Sequence, residues 1–273
     1  MNIRTICRAA LLMVIGSTVA AQPVLAQSNP PCAGVSATAF VNWPQFHSDS
    51  CHTGYNPNEF ILSPATVGNL ALDWKYETGN TIYHSSPAVA NGVVYVGSTD
   101  NNLYALNAGT GALLWKYTTG DQVWSSPAVA NGVVYVGSLD GNLYALNVAT
   151  GALLWKYTTG DRIFAPPTVA NGVVYVGSED NNMYALNAAT GALLWKYTTG
   201  GWVAVPAVAN GVVYVGSDDH NVYALNASTG TLLWKYQTGD YWKSITSSPA
   251  VANGVVYFGS GDNNVYAFHL PRH

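Results

Sequence analysis

Charge is what this sequence has least of. Of its 273 residues only 9% are Asp, Glu, Lys or Arg, against about a quarter in an ordinary globular domain. A surface so poor in ions must be covered by Asn, Thr, Ser, Gly and Tyr, which suit strands and tight turns better than helices. Sustained 3.6-residue periodicity is missing too, which excludes a helical bundle. Cysteine is scarce, with three in the chain, and no zinc-type or Ser-His-Asp spacing occurs. No metal site and no catalytic residue is therefore expected; His47 and His52 are read as packing and capping residues. Beyond the amino terminus no apolar run reaches the ~20 residues of a membrane span.

Residues 1–26 differ in kind from the rest. Arg4 and Arg8 precede an apolar run from Ala9 to Ala21, and Val24-Leu25-Ala26 places compact residues before Gln27. This pattern predicts a secretory signal peptide cleaved near Ala26, and so a periplasmic or secreted protein. Ten basic residues less Arg4 and Arg8 leave eight against fourteen acidic ones, a net charge of −6. An acidic chain without a basic patch is a poor partner for nucleic acid or anionic membrane. Cys7 leaves with the signal. Cys32 and Cys51 share one repeat-free segment, and an oxidising compartment predicts a disulfide between them, two free thiols being the alternative. Asn29-Pro30-Pro31 lacks the small-residue context of lipid attachment at Cys32.

What the chain has in abundance is self-similarity. Residues 81–120, 121–160 and 161–200 are three 40-residue units, 201–239 is a fourth, and 240–270 a fifth that stops early. In the second unit Pro127–Ala130 and Val133–Val136 flank Asn131-Gly132, the sequence of a type I′ hairpin turn. A polar turn at Leu139–Asn142 leads to Leu143–Leu146, and Ala149-Thr150-Gly151 leads to Leu153–Tyr157. Four short strands, A to D, thus form an antiparallel meander, one blade of a propeller. One blade cannot bury both faces; stacked blades can, at ~1.5–3 kcal/mol per fully buried large apolar side chain. The fifth unit lacks strand D, while an unpaired D-like strand, Leu70–Gly79, precedes the first. The expected fold is an all-β, five-bladed propeller over residues 70–270, its ring closed by residues 70–78 completing the last blade. Residues 27–69 form a lead-in or cap.

Ala145-Leu-Asn147-Val-Ala-Thr150-Gly151-Ala-Leu-Leu-Trp155 resembles the tryptophan-docking motif of PQQ (pyrroloquinoline quinone) repeat propellers. It recurs at Ala105–Trp115, Ala185–Trp195 and Ala224–Trp234. Asn107, Asn147, Asn187 and Asn226 stand where that family has Asp. Residues 43–57 are similar to the lead-in of many members. The resemblance implies that Trp74, Trp115, Trp155, Trp195 and Trp234 dock blade on blade. The superfamily includes quinoprotein dehydrogenases and the propeller lipoprotein of the outer-membrane assembly machine, and members usually have seven or eight blades.

Function is sought where the copies disagree. The A–B turn keeps Ala-Asn-Gly-Val-Val in all five units, whereas the D-to-A link and the B–C turn vary. In a meander both variable segments lie at one end, around the channel mouth. Tyr83, His84, Trp124, Arg162, Phe164, Trp202, Tyr241, Trp242 and Lys243 make that rim aromatic and partly cationic, a composition typical of recognition surfaces. The leading expectation is a monomeric, non-catalytic module binding a protein or glycan partner there; side chains that merely plug the mouth are the alternative. A second reading, implied by the resemblance, is a quinoprotein oxidoreductase holding PQQ with Ca²⁺. Glu179 and Asp161 would then serve Ca²⁺, Trp124 or Trp242 would stack, and Arg162 or Lys243 would meet a carboxylate. No adjacent cysteine pair exists, the chain is under half the usual enzyme length, and no cofactor is expected. A third reading is a multivalent lectin using Tyr104, Tyr144, Tyr184 and Tyr223, identical in each blade.

Overall fold

The computed structural model describes residues 44–50, 52, 56, 59, 61–239 and 244–271. The signal segment, Cys32, Cys51, Tyr241, Trp242 and Lys243 lie outside the described residues. Within them, regular structure is β apart from one 3-10 turn, Val67–Asn69.

The first sheet runs β1 (Ala88–Ala90), β2 (Val93–Gly97), β3 (Asn102–Asn107) and β4 (Leu113–Thr118), bonded in that order. The second repeats it as β5 (Ala128–Ala130), β6 (Val133–Gly137), β7 (Asn142–Asn147) and β8 (Leu153–Thr158). β9 (Thr168–Ala170), β10 (Val173–Gly177), β11 (Asn182–Asn187) and β12 (Leu193–Thr198) form the third. β13 (Ala207–Ala209), β14 (Val212–Gly216), β15 (Asn221–Asn226) and β16 (Leu232–Gln237) form the fourth. The fifth has three strands, β17 (Ala250–Ala252), β18 (Val255–Gly259) and β19 (Val265–His269). Asn131 (φ 49°) and Gly132 (φ 80°) hold the two left-handed conformations that a type I′ turn demands.

Two sets of backbone bonds fix the polarity of each blade. At one end the residue after strand C meets the A–B turn, as in Val148 N–H to Gly132 O (3.1 Å) and Ala188 N–H to Gly172 O (2.9 Å). At the other the B–C turn meets the D-to-A link, as in Leu139 N–H to Gln122 O (2.9 Å) and Glu179 N–H to Arg162 O (3.0 Å). The constant turns and the variable segments are therefore at opposite ends.

Blades join through two repeated devices. Trp115 donates Nε1–H to Val148 O of the next blade (2.9 Å), as Trp155 does to Ala188 O (3.0 Å) and Trp195 to Ala227 O (2.9 Å). The indole lies on the following Thr-Gly turn, where a Cβ at Gly151 (φ +69°) would fall 2.7 Å from the Trp115 ring. Only glycine satisfies both that dihedral and that approach. Asn147 Oδ1 shapes the turn by accepting from the N–H groups of Ala149 (2.9 Å) and Thr150 (3.1 Å), so Asn preserves the geometry expected of Asp. The second device is a carboxylate: Asp140 Oδ2 accepts from Tyr144 OH (2.5 Å) and from Gly120 N–H of the preceding blade (2.7 Å). Its Oδ1 accepts from Asn142 N–H (2.9 Å), the Asx turn that its position predicts. The apolar seam between these clamps is continuous: Tyr95, Leu103 and Ala105 of one blade bury against Val123, Val134, Val136 and Tyr144 of the next.

The expected completion of the last blade is not met. Residues 70–78 enter no sheet, and the fifth sheet ends at β19. They instead cover the first blade as a D strand covers its successor: Trp74 Nε1–H bonds Ala108 O (2.9 Å) and Gly79 N–H bonds Asp100 Oδ2 (2.8 Å). The gap shows at the partner surfaces. Leu103, Leu143, Met183 and Val222 are 0% exposed, but their equivalent in the last blade, Val265, is 79% exposed. At the four internal seams Val123, Ile163, Val203 or Ile245 is buried against a strand-B glycine, so close that a Cβ at Gly97 would fall 2.5 Å from Val123 Cγ1. The first blade carries Tyr83 at that position; its ring packs on His84 and Trp124 instead, and near Gly259 a Cβ would meet only Ser247.

The lead-in runs along the inner strands. Pro44 O accepts from Val129 N–H of β5 (2.6 Å), Gln45 Oε1 from Val169 N–H of β9 (3.1 Å), and Ser50 O from Val208 N–H of β13 (2.8 Å). His52 is buried there. Thr168 gives its hydroxyl proton to Pro206 O (2.6 Å) and so accepts from His52 Nε2 (3.3 Å). Burial, then the neighbouring His47, lower the His52 pKa to about 4, keeping the imidazole neutral.

Candidate functional site

At the variable end each D-to-A link alternates its side chains. Val123 points into the seam between blades, and the next residue, Trp124, turns the other way, into a cavity. The equivalents of Trp124 are His84, Phe164, Ala204 and Thr246, one per blade, and all five line one cavity of about 550 Å³. Its size and mainly apolar lining are those of a ligand pocket. Three successive blades supply the rings of His84, Trp124 and Phe164, while the next two carry at the same position only Ala204 and Thr246. The cavity lies where large rings at this position in three blades face small side chains at the same position in the next two.

The rings are fixed. Tyr83 packs on Trp124 (4.8 Å between centroids, 79°) and Trp124 on Phe164 (5.1 Å, 61°), the edge-on arrangement that aromatic pairs prefer. Trp124 Nε1–H is held by Gln122 Oε1 (2.7 Å). His84 lies between Tyr83 (4.1 Å) and Trp124 (5.7 Å), with a left-handed backbone (φ 63°) rare outside glycine and asparagine. Trp202, exposed, adds a further wall, and Phe46 of the lead-in reaches the cavity from within. Glu179 supplies the cavity's carboxyl group. Burial, then the charge of Asp161, raise its pKa above the usual carboxylate value against the smaller pull of Arg162.

Of the sequence-predicted rim residues, His84, Trp124, Phe164 and Trp202 line the cavity; Tyr83 buttresses Trp124, and Arg162 is exposed beside Glu179. Tyr241, Trp242 and Lys243 are outside the described residues. Sequence reasoning missed Ala204 and Thr246, which the alignment of the units with Trp124 would have found, and Phe46, which no pattern announces. The lectin arrangement is corrected: Tyr104, Tyr144, Tyr184 and Tyr223 are buried, their hydroxyls bound to Asp100, Asp140, Asp180 and Asp219.

The sequence matches the family model described as outer membrane protein assembly factor BamB over residues 69–165 and 140–271. The chain belongs to this family. Its fold is that of a PQQ-like propeller, shared with BamB from Moraxella catarrhalis (TM-score 0.62, 21% identity, 69% of this chain and 62% of that one). Quinohemoprotein alcohol dehydrogenase ADHIIG from Pseudomonas putida is similar in fold too (TM-score 0.69, 24% identity, 84% of this chain and 48% of that one). A 77-residue stretch is 32% identical to the dehydrogenase subunit of a quinone alcohol dehydrogenase from Gluconobacter oxydans, covering 28% of this chain and 10% of that protein. The chain thus spans less than two thirds of the length of each of these proteins. No helix among the described residues is long and apolar enough to cross a membrane.

PQQ, implied by part of the superfamily, is a flat tricarboxylate. Among the described residues the cavity lining offers it no lysine or arginine and sets Glu179 against it, with Asp161 close by. Lys243 and Trp242, which that reading also named, lie outside the described residues.

Proposed function

We propose that the chain is an exported, non-catalytic binding module that holds a segment of a protein partner in the cavity at its variable end. One observation carries the reading. A single position per blade, otherwise free to differ, surrounds one cavity with fixed aromatic rings, while the opposite end is nearly identical in every unit. Loops and links on a rigid scaffold are the usual place for recognition, and buried aromatic walls are its usual energy source. Membership of an assembly-factor family supports a partner-binding role. The signal-like residues 1–26 support an extracytoplasmic location.

Photocrosslinking tests this directly. A photoreactive amino acid replacing Trp202 should trap a discrete partner in cells exporting the chain, and one replacing Ala149 in the C–D turn at the opposite end should trap none. Equal labelling from both ends, or from neither, would remove the proposal.

A further inference from the structure

The binding role proposed above leaves the chemistry of the guest open, and the cavity wall narrows it. We infer that the cavity receives a basic side chain, arginine or lysine, carried by the protein partner, stacked on the Trp124 and Phe164 rings with Glu179 as its counter-ion. Three observations carry this.

First, the rings are set edge to face at 4.8–5.1 Å, with Trp124 tied to Gln122, so their orientation is fixed before a guest arrives. An aromatic face attracts a cation through its quadrupole, and more strongly away from water. Second, Glu179 lies in the lining while the described residues place no lysine or arginine there. An apolar guest would fill the same volume but strip water from that carboxylate and leave it unpaired; a cation offsets the loss. Third, the groups around Glu179 leave the local balance negative: Asp161 raises its pKa and Arg162 only partly opposes the shift. His84 is the remaining titratable group in the lining.

A guanidinium suits such a site particularly well, being planar and able to stack while donating to a carboxylate in its own plane.

The test uses the mature chain and isothermal titration with two pentapeptides, Gly-Gly-Arg-Gly-Gly and its citrulline twin, both capped at each end. Citrulline keeps the shape and removes the charge. The arginine peptide should bind at least about tenfold more tightly. Phe164→Leu, which keeps an apolar wall but removes the ring, should weaken it by about fivefold. Glu179→Gln should weaken it by about tenfold, and Arg162→Ala, by removing a competing cation, should tighten it. Unchanged melting temperatures certify the fold of each variant. Equal binding of the two peptides, or binding of neither, overturns the inference; so does tighter capture of choline than of the arginine peptide, which would mean a quaternary ammonium guest. The binding role itself stands or falls separately on the crosslinks from position 202.

Discussion

Trp195 and Trp234 occupy the same place in consecutive sheets, end the same Leu-Leu-Trp motif, and fare differently. Trp195 is 7% exposed and bonds Ala227 O of the next blade, whereas Trp234 is 38% exposed and rests on Phe268 at 4.8 Å. What differs is the receiving surface. Trp195 lies on the Thr229-Gly230 turn, where a Cβ at Gly230 would fall 2.7 Å away; among the described residues β19 is followed by Leu270-Pro271, which form no such turn. A docking tryptophan is thus only half of an interaction. Its contribution comes from the glycine turn and carbonyl of the blade that follows, which is how the repeats depend on one another.

That comparison is broken or sharpened first by truncation. Trp195→Ala should cost about 3–5 kcal/mol, the range for removing a buried tryptophan, and Trp234→Ala less than half of that. Urea denaturation of both variants measures it. Equal losses would mean that the receiving turn adds nothing.

A smaller effect separates the carboxylate clamps at the same two seams. Asp219 Oδ2 accepts from Tyr223 OH (2.5 Å) and Gly200 N–H (2.7 Å). Burial pushes its pKa up, but the Tyr223, Gly200 and Asn221 bonds outweigh this, and the net shift is downward. Asp262, in the less buried clamp, is lowered chiefly by Tyr266 OH. A carboxyl depressed in the folded state stabilises above its unfolded pKa of 3.8 and loses that contribution as pH falls through the lower native value. Asp219→Asn should therefore cost about 1–2 kcal/mol at pH 7, with the gap from the parent protein closing below pH 4. Asp262→Asn should cost less at every pH. Thermal melts between pH 2.5 and 7 follow both.

The blades were legible in the sequence because each local choice is covalently near its partner. Asn-Gly turns, four strands in each of the first four units and the Asn-x-x-Thr-Gly caps all act within about forty residues, and all are found where expected. The polarity of the blades followed from the meander alone, and with it the face carrying His84, Trp124 and Phe164. The lead-in was not legible. Pro44 and Ser50 meet β5 and β13 through carbonyl oxygens, which every residue type carries, so no pattern marks them. Closure by residues 70–78 failed for another reason. Counting strands supplies and demands them equally, but it does not register that Tyr83 stands where the internal seams carry Val123, Ile163, Val203 or Ile245. Cavity shape was legible only in part, because the small residues Ala204 and Thr246 create the space by being unremarkable.

The central claim is that the constant end and seams build the molecule while the variable end binds. One experiment sets them against each other: melting temperature and crosslinking-defined partner capture, measured together for Trp124→Ala with Trp202→Ala and for Trp155→Ala. The account predicts that the double variant keeps its melting temperature and loses capture, while Trp155→Ala loses several degrees and, where still folded, keeps capture. A double variant that binds as well as the parent protein would contradict it.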